Sequence, residues 1–306
     1  MNPYQDRLFD IEPQKDISGK NLDALLDSRQ KRERILRLFN GNLPQSIMIA
    51  NKRTREDDIA RGGYEESEWR SEDGNKMLDS IFGISGKGTK NGALSIFPQN
   101  IGDAMIKLYS SPGDIILDPF AGHNSRMELA AKNKRDYIGY DVCHEFMEYN
   151  RKYAIQYREL YGTRIELHEG DSRKELSMQR DCIADFTLTS PPYYDIEYYG
   201  DEPEQLGNSE TYQSFLNGLG IIINNNYRCL KSGSYCAYFV NDFRRKGKFH
   251  LYHIDVIKLM ERAGFEIKDI LIVDLGVPIR AAFATQIVEQ KILPKRHEYG
   301  IIGIRN

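Results

Sequence analysis

Asp118, Asp141 and Asp171 each close a short apolar run just ahead of residues that begin a helix, in "DIILDPFAG", "DYIGYDV" and "RIELHEGDS". One such acid is an ordinary helix cap. Three in succession favour a shared ligand, because open parallel sheets bind ligands beyond the carboxyl ends of their strands, where strand order reverses. Gly122 lets backbone approach such a ligand, while Asn124 and Ser125 suit a turn that caps the following helix. Asp141 follows the glycine by about 20 residues, the place where an acid takes ribose hydroxyls in doubly wound folds. No G-x-G-x-x-G run is present, so a nucleoside-type cofactor is expected without the dinucleotide fingerprint.

A second stretch, "DFTLTSPPYYDIEYYGDEPE" from Asp185 to Glu204, runs as a strand into Thr189 and Ser190 and halts at Pro191 and Pro192. Proline cannot donate to a ladder and marks strand ends. Simple termination needs neither a second proline nor the aromatic rings crowded behind it.

The elements that must hold these residues alternate along the chain. Strand patterns cover Asp114–Phe120, Asp136–Val142, Arg164–Asp171, Ala184–Ser190 and Gly233–Asp242, with helical patterns at Arg126–Lys134, His144–Tyr161, Glu210–Leu230 and Leu251–Ala263. Strands separated by helices of this length predict parallel βαβ units and an α/β, doubly wound, mostly parallel sheet. The closing runs "EIKDILIVDL" and "HEYGIIGIRN" have no helix between them, which predicts an antiparallel last strand. Residues 1–94 read as an N-terminal accessory region and residues 95–306 as the catalytic domain. Asp23–Phe39 has helix-forming composition, "QSIMIANKR" suits a strand, and the polar Asp57–Asn75 predicts a mobile loop.

"DPFAG" and "TSPPY", with "IGYD" and "GDS" between them, resemble the amino-methyltransferases that modify exocyclic amines of DNA bases. The resemblance runs from about Phe97 to the C-terminus, and Ser190-Pro191-Pro192-Tyr193 matches the family's catalytic pattern fully. It implies a Rossmann-like methyltransferase sheet with S-adenosylmethionine as cofactor. Phe97 and Pro98 are then expected at its methionine end, with Asp118, Phe120, Ala121, Gly122, Asp141, Val142, Asp171 and Ser172 completing the cofactor site. The departure is His123-Asn124-Ser125 in place of the family's Ser-Gly-Thr, read as a variant turn because Asn tolerates left-handed backbone.

The resemblance also explains the prolines. An aromatic amine is a poor nucleophile because its lone pair is delocalised into the ring. Ser190 and the Pro191 carbonyl can accept the amine hydrogens and turn the lone pair toward the methyl group. Pro192 keeps those acceptors from relaxing, and Tyr193 offers a ring for the flipped base. Positioning of this kind is worth several kcal/mol of barrier, and stacking about 1–3 kcal/mol.

Serine in the first motif position leans the family reading toward cytosine N4, with adenine N6 as the alternative. An RNA base amine methyltransferase and a catalytically silent nucleic-acid-binding protein of the same fold are further readings. Methylation of a ring carbon needs a cysteine nucleophile, commonly after proline, and no Pro-Cys pair occurs. Cys143 and Cys182 read as small buried hydrophobes, and four scattered cysteines suggest neither zinc nor disulfides. His250 and His253 lack a partnering acid pattern, so no metal is expected.

With a formal charge of −3, the chain is no general nucleic-acid coat protein, and double-stranded DNA must be met by local patches. Arg244, Arg245, Lys246 and Lys248 cluster after the fifth strand, on the edge expected to carry the cofactor. The lack of a membrane-length apolar run and of a signal-like N-terminus predicts a cytoplasmic protein.

Overall fold

The computed structural model describes residues 28–39, 43–50, 97–196, 199, 202–275, 288–289, 291–293 and 295–306. In chain order the elements are α1 (Ser28–Leu38), β1 (Ile47–Ile49), α2 (Gln99–Tyr109), β2 (Ile115–Asp118), α3 (Ser125–Lys132), β3 (Asp136–Asp141), α4 (His144–Tyr161) and β4 (Ile165–Glu169). There follow α5 (Ser172–Met178), β5 (Ala184–Thr189), α6 (Tyr212–Cys229), β6 (Leu230–Val240), β7 (Phe243–Arg245), β8 (Lys248–His250), α7 (Tyr252–Ala263), β9 (Glu266–Asp274) and β10 (His297–Ile304).

Eight strands form one sheet in the order β1-β9-β10-β6-β5-β2-β3-β4. Every pairing is parallel except those of β10, which runs antiparallel to both β6 and β9. This is the doubly wound, mostly parallel sheet predicted, with its last strand reversed. Strand order turns back between β2 and β5, so the crevice expected to take a ligand opens at their carboxyl ends.

Burial explains the central strands. All six residues of β5 are buried, the pattern of a parallel strand covered on both faces. On one face lie α2, α3 and α4. Helix α4 buries Phe146, Met147, Asn150, Tyr153, Ala154 and Tyr157, a helical stripe, and stops at Gly162 with φ of 71°. On the other face α5, α6 and α7 pack Leu176, Phe215, Leu219, Val256 and Met260 against the sheet. A capping box between Thr211 and Ser214 starts α6. Each such fully buried aliphatic or aromatic side chain contributes about 1.5–3 kcal/mol.

Several expectations are corrected here. Helices α2 and α5 and the β7–β8 hairpin are additions to the elements expected from sequence. Strand β1 falls in the accessory region, yet pairs in parallel with β9 as the outer strand of the main sheet. Cys182 is exposed, while Cys143, Cys229 and Cys236 are buried. Asp57–Asn75 lies outside the described residues. Among the described residues no helix is long and apolar enough to cross a membrane.

Candidate active site at the carboxyl edge of the sheet

The glycine turn after β2 is tied down at nearly every polar group. Phe120 N–H donates to Asp118 Oδ1 at 3.2 Å, Ala121 N–H to the Tyr140 carbonyl at 2.8 Å, and Gly122 N–H to Asp141 Oδ2 at 2.7 Å. The Pro119 carbonyl accepts from Ser172 Oγ at 2.5 Å, the Phe120 carbonyl from Arg126 Nη2 at 2.5 Å, and the Gly122 carbonyl from Asn150 Nδ2 at 2.7 Å. Gly122 has φ of 51°, where a side chain would be strained. Asn124 instead has φ of −61° and makes no side-chain cap. Its amide donates to Tyr157 Oη at 2.8 Å, and the His123 ring lies 4.4 Å from that of Phe146. The unusual His-Asn-Ser therefore fastens the turn to α4, and the left-handed asparagine expected from sequence is not there.

The three aspartates are not equivalent. Asp118 has no exposed surface, and its carboxylate accepts from Arg126 Nε at 2.7 Å, Tyr137 Oη at 2.9 Å and Thr189 Oγ1 at 2.6 Å as well as from Phe120. A side chain so enclosed is a scaffold, which corrects its expected place among cofactor ligands. The bond from Thr189 crosses from β5 to β2 at the point where strand order reverses. Gly139 belongs to the same hub, since a Cβ there would meet the Tyr137 ring at 2.5 Å. Asp171 caps α5, accepting from Arg173 N–H at 2.9 Å, and also holds the Arg173 guanidinium. Asp141 is the one of the three left partly open. Burial pushes its carboxyl up to about 6, against the pull of N–H groups from Cys143 and Gly122.

Around this edge, Phe120, Val142 and Pro98 are partly exposed, while Ala121 and Ser172 are buried. Phe97 is buried with its ring edge-on to Phe239 at 4.9 Å and its face 5.4 Å from the Arg126 guanidinium. Three buried amide oxygens, Gln99 Oε1, Asn150 Oδ1 and Asn241 Oδ1, accept no hydrogen bond among the described residues. Gln99 adjoins Phe97, Asn150 holds the glycine turn, and Asn241 follows the carboxyl end of β6. Unsatisfied acceptors in such positions call for a ligand rich in donors or for water.

The tetrapeptide leaves β5 beside β6. Ser190 Oγ donates to the Phe239 carbonyl at 3.1 Å, and the Pro192 carbonyl accepts from Tyr252 Oη at 3.2 Å. With its own hydrogen committed, the Ser190 oxygen keeps its lone pairs for an incoming donor. Tyr193 is only 8% exposed, so the stacking face expected of it is mostly covered. Tyr194 follows at φ of 52°, held by ring contacts with Tyr212, Phe215 and Phe243. Such strain persists where surrounding packing over-determines it.

Of the basic cluster, Arg244, Lys246 and Lys248 are exposed on the β7–β8 hairpin. Arg245 turns inward to Asp195, two residues past the tetrapeptide, at 2.7 Å. Sequence reasoning missed Arg126, Tyr137, Asn150, Asn241 and Tyr252. The detectable signal was Arg126 and Glu128 inside the otherwise apolar start of "RMELAA".

Residues 28–152 match the family model of the N6/N4 methyltransferases, described as DNA methylase. The match reaches back over α1 and β1, into the region expected to be accessory, and ends before Ser190. The chain is also similar to a curated protein, the orphan methyltransferase M.BamHII of Bacillus amyloliquefaciens, 33% identical over 72 residues. That alignment covers 22% of this chain and 27% of the relative, so the chain spans about a quarter of the curated relative it matches. Among solved structures, TrmN from Thermus thermophilus is 15% identical with a TM-score of 0.45, covering 76% of this chain and 53% of that one. A SAM-dependent methyltransferase from Methanosarcina mazei is 16% identical with a TM-score of 0.46, covering 69% and 99%.

Proposed function

We propose that the chain is an S-adenosylmethionine-dependent methyltransferase acting on the exocyclic amine of a base flipped out of double-stranded DNA. The observation that carries this reading is the adjacency of Ser190-Pro191-Pro192-Tyr193 to the β2 and β3 ends, fastened by the Thr189 bond to Asp118. S-adenosylmethionine supplies an electrophilic methyl group. The edge suits it, because its ammonium, amine and hydroxyls are donors and the buried amide oxygens there are acceptors without partners among the described residues. Asp141 would take the ribose hydroxyls, Phe120, Val142 and the Asp171–Ser172 turn would border the adenine, and Phe97 and Pro98 the methionine end.

Ser190 and the Pro191 carbonyl accept the two amine hydrogens and orient the nitrogen lone pair. Pro192, bonded through its carbonyl to Tyr252, keeps the acceptors in place. Tyr193 walls the base, and the proton lost from the methylated nitrogen leaves to water. Arg244, Lys246 and Lys248 supply sequence-independent phosphate attraction.

We infer cytosine N4 as the target, supported by serine in the first motif position. Methylation of mixed-sequence DNA followed by nucleoside mass spectrometry tests both levels. N4-methylcytosine is the expected product. N6-methyladenine would retain the activity and overturn the base assignment, while unmodified DNA alongside modified RNA would overturn the substrate.

A further inference from the structure

The hairpin after β6 has two unlike faces. Its cross-strand pairs are Phe243 with His250, Arg244 with Phe249 and Arg245 with Lys248. Lys246 and Gly247 turn the chain at φ of 48° and 75°, the two-residue geometry that keeps hairpin strands in register. On the inner face Phe243 is buried and stacks on His250 at 4.9 Å with an interplanar angle of 15°. Arg245 holds Asp195 on the same side. The hairpin is thus anchored to the tetrapeptide loop.

Among the described residues the outer face has no such anchor. The Arg244 guanidinium lies 4.6 Å from the centroid of the Phe249 ring, and that ring is 43% exposed. Leu251, just beyond, is 50% exposed. Residues 243–250 contain four cations and no carboxylate. Among the described residues only Arg245 of these four has an ion-pair partner. An exposed aromatic ring under a guanidinium that has no ion-pair partner among the described residues suits a partner with negative charge and flat apolar faces. Nucleic acid offers both. A second copy of the same face would bring like charges together.

We propose that the Arg244–Phe249 pair is a stacking platform for a DNA base left unstacked when the target base is extruded. This rests on the methyltransferase reading above and adds a second contact to it. The ring serves bases, while Lys246 and Lys248 serve phosphates. Extrusion breaks stacking on both sides of the target, and a ring at the hairpin tip restores part of it.

The test uses a site mapped from DNA modified by the wild-type protein, built into a matched duplex and into one lacking the base opposite the target. Phe249→Ala is expected to bind the matched duplex about tenfold more weakly than wild type, with a smaller deficit on the duplex already missing a base. Phe249→Trp is expected to bind as wild type, and the salt slope of Phe249→Ala to be unchanged, because no phosphate contact is removed. Cofactor affinity and melting temperature should stay within error of wild type. Equal binding by Phe249→Ala and wild type, an equal deficit on both duplexes, a shallower salt slope, or loss instead of binding to phosphatidylserine vesicles would each overturn the platform. A wild type that modifies no DNA overturns the underlying reading instead, and binding of mixed-sequence duplex by the same variants then judges the hairpin alone.

Discussion

Arg245 and Asp195 join the basic hairpin to the loop behind the tetrapeptide, with Nε and Nη2 at 2.8 and 2.7 Å from one carboxylate oxygen. The pair is largely covered, its side chains 17% and 23% exposed. Through it, whatever fixes the hairpin also fixes the backbone two residues from Tyr193.

Loss of that tie should appear in turnover more than in cofactor binding. Arg245→Ala and Asp195→Ala are expected to slow single-turnover methylation about 10- to 150-fold, the equivalent of about 1.5–3 kcal/mol for a hydrogen bond to a charged group. S-adenosylmethionine affinity should hold. Asp195→Asn, which keeps an acceptor, should recover part of the rate. A double-mutant cycle checks the coupling. Additive single effects would show that the two side chains act independently.

Asp141 should make cofactor binding depend on pH. Its carboxyl is raised to about 6 by burial. Above that value the carboxylate is ionised and accepts hydroxyls. Below it, the protonated acid is a poorer acceptor, and affinity should fall toward tenfold per pH unit. Titration calorimetry from pH 5 to 8 is expected to show a plateau above 7 and a decline through 6. Asp141→Ala should lose about 1.5–3 kcal/mol at pH 7 and flatten this profile. The stability sign runs opposite. A carboxyl raised in the folded state stabilises below its unfolded value near 3.9 and loses that contribution as pH rises through the folded value. The ligand-free protein should therefore tolerate Asp141→Asn at neutral pH, as measured by its melting temperature.

The hub around Asp118 is structural, and its variants should fail by unfolding. Arg126→Met leaves a buried carboxylate without its cation and is expected to cost about 3–5 kcal/mol. Thr189→Val, nearly isosteric, removes one donor and should cost about 1–3 kcal/mol. Urea denaturation at pH 7 reads both. Variants as stable as wild type would mean that Asp118 has found other donors.

The hub also shows what sequence could and could not reveal. Spacing of apolar runs and helices gave the sheet, the reversed last strand and the edge that carries Asp141 and Ser190, because period and length are local properties. The division of labour among three similar aspartates was hidden. It depends on Thr189, which comes from a strand 71 residues away from Asp118, and on Arg126 folding back along α3. Asp171 looked like a ligand and is satisfied locally by its own helix. The β7–β8 hairpin escaped notice because its strands span only three residues each and its turn, Lys-Gly, is not among the stronger hairpin signals.

Ser190 and Tyr193 should separate chemistry from base holding. Ser190→Ala removes an acceptor and also the donor to the Phe239 carbonyl, which lies where β5 meets β6. The chemical step should slow while S-adenosylmethionine still binds, because no cofactor ligand has moved. Tyr193 needs a different control, since it is 8% exposed and truncation leaves a cavity. Tyr193→Ala is expected to cost about 3–5 kcal/mol of stability in addition to any effect on the base, so activity alone would not distinguish the two. Tyr193→Phe keeps the ring, and should keep most of the activity if the ring is what matters. A mismatch opposite the target lowers the cost of extrusion and should rescue Tyr193→Ala in part, which a purely structural defect would not allow. Single-turnover rates of all three variants on matched and mismatched duplexes decide the case. Equal loss by Tyr193→Ala on both duplexes would leave it as a packing residue, and an unchanged chemical step in Ser190→Ala would leave the Pro191 carbonyl as the acceptor that orients the amine.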